Sequence, residues 1–105
     1  MIRDMLTLYK LHFYAGRQGT YEGLFLEDSD KLKKLVDSGD NVYFGEVLGK
    51  HSEISGPLEE SDYTVITSDE KVVGMAKEFH ITTIDSPVTT YVEYYEDQGM
   101  KHVFQ

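Results

Sequence analysis

The densest run of reactive side-chain types is EVLGKHSE, where Glu46 is followed across a turn by Lys50, His51, Ser52 and Glu53. On an extended backbone His51 and Glu53 project to the same side, because side chains alternate with a period of two. A histidine beside a carboxylate can act as an acid/base couple or lend two ligands to a metal. Catalysis would also need a third group to orient the pair and a pocket to exclude water. The sequence displays neither, and the same residues make an ordinary polar turn. Ser52 lacks the setting of a nucleophile, since neighbours on a strand point to opposite faces and His51 could not serve as its base.

A second candidate is Gly16-Arg17-Gln18-Gly19. Glycine lets backbone N–H groups approach an anion, and arginine adds a bidentate contact. Phosphate loops of known form run from a strand into a helix, whereas here a second strand is expected to follow. If the 16–19 and 49–53 turns lay at one end of a sheet, Arg17, Lys50, His51 and Glu53 would line a site for an anionic metabolite or nucleotide. The remaining histidines, His12, His80 and His102, show no HxH or HExxH spacing, and cysteine is absent. No metal site, cofactor or catalytic residue is therefore expected. The adjacent Glu59 and Glu60, in a stretch rich in Ser and Asp, read as a solvated loop.

The elements that must carry these residues follow from periodicity. Met5–Ala15 alternates as a strand, with Thr7, Tyr9, Leu11 and Phe13 on one face and Lys10 and His12 on the other. Thr20–Leu26 returns as its hairpin partner. Ser29 is expected to cap a short helix with Leu32, Leu35 and Val36 as its apolar stripe and Gly39 at its end. Asn41–Leu48 and His51–Ser55 read as paired strands, limited by Gly56-Pro57 because proline cannot donate to a ladder. Leu58–Asp62 is an acidic joint, and Tyr63–Thr67 a β-branched strand. Ser68 is expected to cap a second helix whose face is Val72, Met75, Ala76 and Phe79. Ile81–Ile84 is a short apolar segment with strand character, and Val88–Tyr95 (VTTYVEYY) reads as the last strand. The expectation is one α+β domain over residues 1–105, a mostly antiparallel sheet of five or six strands carrying two helices on one face.

Charge narrows the partners. Residues 1–58 hold nine Asp/Glu against seven Lys/Arg, and residues 59–105 hold ten against three, so most of the net −9 lies in the second part. Such a field repels nucleic acid and anionic membrane and attracts basic surfaces. No apolar run approaches the roughly 20 residues of a membrane span. The first ten residues lack the pattern of a secretory signal, so a cytoplasmic location is expected.

Tyrosine is favoured at interfaces because it is amphipathic and loses little rotamer entropy. If Val88–Tyr95 is a strand, Tyr94 and Tyr95 face opposite sides and one is exposed. Tyr91, Glu93, Tyr94, Tyr95, Glu96 and Asp97 would then form an aromatic, acidic edge. The leading expectation is a non-enzymatic interaction protein that engages a basic protein surface, including one that normally binds nucleic acid, without itself binding nucleic acid or membrane. Small acidic inhibitors encoded by phages and plasmids are of this physical type. Self-pairing through the last strand would make a homo-oligomer.

Overall fold

The computed structural model describes residues 6–16, 19–47 and 52–104. Strand β1 (Leu6–Tyr14) runs antiparallel to β2 (Thr20–Asp28), with Leu6 opposite Asp28 and Tyr14 opposite Thr20. Their expected turn is closed by hydrogen bonds from Ala15 N–H to the Gly19 carbonyl, 2.8 Å, and from Gly19 N–H to the Gly16 carbonyl, 3.1 Å. Two further strands, β3 (Asn41–Val47) and β4 (Ser52–Pro57), form a separate antiparallel pair. The last strand, β5 (Tyr63–Thr67), joins the free side of β1 and gives the order β2-β1-β5.

The α+β class stands, but the expected single sheet is divided into sheets of three and two strands. Aromatic packing supplies the reason. Phe44 of β3 meets Phe13 of β1 with ring centroids 4.5 Å apart. A Cβ on Gly56 of β4 would lie 3.0 Å from the Phe13 ring. The β3–β4 pair therefore packs face-on against the first hairpin instead of extending it edge-on.

Among the described residues three α-helices form, not two. In α1 (Ser29–Ser38) the buried residues are Leu32 and Leu35, as their spacing requires. Its N-cap is Asp28, one residue before the expected Ser29. The Asp28 carboxylate accepts from Asp30 N–H at 2.9 Å and Lys31 N–H at 3.1 Å. A charged acceptor suits the positive end of the helix dipole better than a hydroxyl does. Gly39 closes the helix in the left-handed region, as expected. The same substitution of aspartate for serine recurs in α2 (Glu70–Glu78), whose N-cap is Asp69 and not Ser68.

The expected face of α2 is also rotated. Val73 and Ala76 are buried, while Val72, Met75 and Phe79 are exposed. The helix lies against β1. Leu8 is buried on the β1 face opposite the main core, outside that core's cluster, as are Val73 and Ala76. These form a small second layer that covers only half of α2's apolar stripe. Helices consequently flank the three-stranded sheet on both faces, not on one.

The segment after α2 is no strand. Ile81–Ile84 crosses the outer edge of β2, where Thr83 N–H and Ile84 N–H donate to the Leu24 carbonyl and the Thr83 hydroxyl accepts from Leu24 N–H at 2.8 Å. Gly23 permits this crossing, since a Cβ there would lie 2.5 Å from an Ile84 methyl. Val88–Tyr95, expected as the last strand, lies within the helix α3 (Pro87–Asp97). With it goes the proposed strand edge for self-pairing at that segment.

The main core gathers Tyr9, Leu11 and Phe13 of β1, Phe25, the two α1 leucines, Val42, Phe44 and Ile54, and Val88 and Tyr91 of α3. Leu58, at the start of the acidic joint, belongs to it as well, so that joint is anchored rather than wholly solvated. Each fully buried side chain of this kind contributes roughly 1.5–3 kcal/mol. Among the described residues, no helix is long and apolar enough to cross a membrane.

Candidate functional site

The acidic, tyrosine-bearing segment is positioned by α3. Ser86 is its N-cap: the hydroxyl accepts from Val88 N–H at 3.1 Å and donates to a Glu27 carboxylate oxygen at 2.5 Å. Pro87 occupies the first turn, where its missing N–H costs nothing. Val88, Tyr91, Val92 and Tyr95 then recur at the helical i, i+3, i+4, i+7 spacing and turn toward the core. That inward stripe leaves Glu93, Tyr94, Glu96 and Asp97 exposed.

Packing of α3 on β3 builds a concave feature on this outer side. Tyr43 of β3 stacks on Tyr94 with centroids 5.3 Å apart and ring planes within 17°. Thr90, Glu93 and Asp97 complete the lining of a cavity of about 160 Å³. Glu93 and Asp97 are four residues apart, so both carboxylates lie on one side of the helix. The helix carries no Lys or Arg. A cation placed here would meet two aromatic rings and two carboxylates, the partners that recognise a guanidinium or ammonium group. Glu96 is turned elsewhere, with its carboxylate 3.7 Å from Nε2 of His102 in the returning C-terminal segment.

Of the residues expected on this surface, the fold withdraws Tyr91 fully and Tyr95 in part. Tyr91 is fully buried. Its hydroxyl donates to the Asp40 carboxylate at 2.5 Å and accepts from Val103 N–H at 3.2 Å. Burial, and then the Asp40 hydrogen bond, push its ionisation up from 10 to about 12. Tyr94 and Tyr95 do not face opposite ways, because neighbours on a helix are about 100° apart. Tyr94 is exposed, while Tyr95 packs against the Tyr91 ring at 4.5 Å. Tyr43 and Thr90 were not expected at this site. Thr90 falls on the Glu93–Asp97 side once the segment is read with a helical period. Nothing in the local sequence marks Tyr43, which arrives through packing.

In the alternative ligand site, Arg17, Lys50 and His51 lie outside the described residues. Glu53 is exposed on β4, at the register position opposite Glu46. His12 has a structural use, its Nε2 lying 3.1 Å from the Thr64 hydroxyl across β1 and β5. His80 takes a left-handed φ of 52° just beyond α2, where it helps to end the helix. No known protein family, curated protein or solved structure matches this chain.

Proposed function

We propose that this protein is a non-enzymatic acidic interaction protein that binds a basic surface of a partner protein, of the kind that otherwise binds nucleic acid. The observation that carries this reading is the stacked Tyr43–Tyr94 pair set beside Glu93 and Asp97 on a helix without basic residues. A lysine or arginine of the partner would seat against the rings while the carboxylates take its charge. Electrostatic complementarity of this kind accelerates association and fades with salt. The inhibitor role typical of small phage- or plasmid-encoded acidic proteins suits the same surface.

The test is capture of partners by the tagged protein from a cell lysate at low and high salt, alongside the variant Glu93→Lys/Asp97→Lys. A Lys/Arg-rich protein retained at low salt, released at high salt and bound at least about tenfold more weakly by the variant supports the reading, a change of about 1.4 kcal/mol. Partners that bind the variant as well as the parent, or that resist salt, would refute it. Tyr94→Ala separates the aromatic contribution from that of net charge, since it removes a ring and leaves the charge intact.

A further inference from the structure

We infer that two copies of this chain associate through the open edge of β5, with the exposed apolar side of α2 closing over the contact. The β5–α2 surface shares no residue with the acidic α3 face.

The three-stranded sheet has two outer edges, and they are treated differently. The β2 edge is crossed by Thr83 and Ile84, whose N–H groups use the Leu24 carbonyl. On the other side, β5 pairs with β1 alone, and among the described residues no strand takes up its outer ladder groups. An unpaired edge is a template for another strand unless charge, proline or a covering segment blocks it. The sequence Tyr63-Thr64-Val65-Ile66-Thr67 contains neither charge nor proline. Val65 is 58% exposed and Ile66 50% exposed. One protective device is present: the register slips between Leu8 and Tyr9, so Ile66 has no cross-strand partner on β1. A bulge of this sort adds twist and confines pairing to a few residues, so the strand edge alone makes a small contact.

Neighbouring α2 enlarges it. Leu8 pairs with Thr67 of β5 and shares its buried layer with α2, so the helix and the end of the strand lie on one side of the molecule. Val72, Met75 and Phe79 form a stripe at helical spacing that this layer leaves uncovered, Phe79 being 63% exposed. Six of the ten large hydrophobic side chains exposed among the described residues fall between Val65 and Ile81. Single exposed hydrophobics need no explanation, but a run of them on adjoining elements does.

Charge selects the occupant. The protein as a whole carries −9, so two copies repel wherever acid meets acid. From Tyr63 to Ile81 three acids, Asp69, Glu70 and Glu78, stand against two bases, Lys71 and Lys77. This stretch carries a net of only −1, so self-repulsion along it is weak and a basic partner is little drawn to it. Antiparallel self-pairing about a two-fold axis at Val65 would set Val65 against itself, Thr64 against Ile66 and Tyr63 against Thr67 of the second copy. No charged residue lies within the paired strand itself; the acids Glu60, Asp62, Asp69 and Glu70 stand beyond its two ends and limit the pairing to Tyr63–Thr67. A two-fold contact of this kind closes on itself and stops at a dimer.

Sedimentation equilibrium over a concentration series of the full chain tests the inference, with amide hydrogen exchange followed in parallel. The expected result is a dimer at high concentration that dissociates on dilution, with β5 amides gaining protection as the dimer fills. Val65→Lys should raise the dissociation constant at least tenfold while keeping the parent circular dichroism spectrum. If Val65→Lys does not fold, Phe79→Ser reads the same contact from α2. A monomer up to about 1 mM, the weak end of measurable association, would overturn the inference. So would a dimer that both variants leave unchanged, since it would use another surface. Glu93→Lys/Asp97→Lys should leave dimerisation intact.

Discussion

Tyr91 joins three parts of this molecule, α3, the α1–β3 joint and the C-terminal segment. Its ring fills the core between Tyr95, His102 and Phe104, with centroid separations of 4.5, 6.0 and 6.2 Å. Its hydroxyl ties the α1–β3 joint, through Asp40, to the returning segment at Val103. Because the folded state ionises this phenol at about 12 against an ordinary 10, it holds the proton more tightly than the unfolded chain does. That stabilisation, roughly 2–3 kcal/mol, is complete below pH 10 and is lost as pH rises through about 12. Tyr9, Tyr21 and Tyr63 are also shifted upward, chiefly by burial, and act in the same direction. Tyr91→Phe isolates the Tyr91 share. It should cost about 1–3 kcal/mol at neutral pH by leaving the Asp40 carboxylate and Val103 N–H without this partner. Urea unfolding of parent and variant from pH 8 to 12 checks both statements, and the difference between them should shrink at the alkaline end.

In both α2 and α3 tertiary burial overrides the local pattern. The run VTTYVEYY has strong strand propensity, yet it is helical because Ser86-Pro87 provides a cap and a first turn, and because Val88, Tyr91, Val92 and Tyr95 all reach the core at helical spacing. Burial of that stripe outweighs an intrinsic preference whose whole range is about 1 kcal/mol per residue. In α2 the helix was legible, but its buried side was not. Val72, Met75, Ala76 and Phe79 are the best apolar stripe by period, and the sheet takes Val73 and Ala76. Gly74, in the middle of that helix, is exposed and a Cβ there would touch nothing within 4 Å. Gly74→Ala should stabilise the protein by about 0.5–1 kcal/mol through the unfolded chain, read as a higher urea midpoint with an unchanged slope.

For the whole molecule, charge and apolar exposure are separated. The carboxylates of α3 face outward beside stacked tyrosines, while the β5–α2 side is nearly balanced in charge and rich in exposed hydrophobics. The two associations proposed would use separate surfaces, one weakened by salt and one not. The excess of nine negative charges also opposes compaction through self-repulsion. Moderate salt should therefore raise the urea midpoint of the parent, and Glu93→Lys/Asp97→Lys should reduce that salt response.

Features that depend on neighbours in the chain were legible from the residues alone. These are the first hairpin, the short helix with Leu32 and Leu35 inward, the β3–β4 pairing (though β4 runs on through Gly56 and Pro57 beyond the expected end at Ser55), the Tyr63–Thr67 strand, and the bias of negative charge toward the second half. Each rests on period, turn chemistry or composition, which act over a few residues. Tertiary structure decided what depends on distant surfaces. It made α3 a helix, split the sheet in two, rotated α2, drew Tyr91 inward and brought Tyr43 to Tyr94. Those outcomes turn on which apolar faces meet across the fold, and burial there outweighs local preferences of a fraction of a kcal/mol per residue.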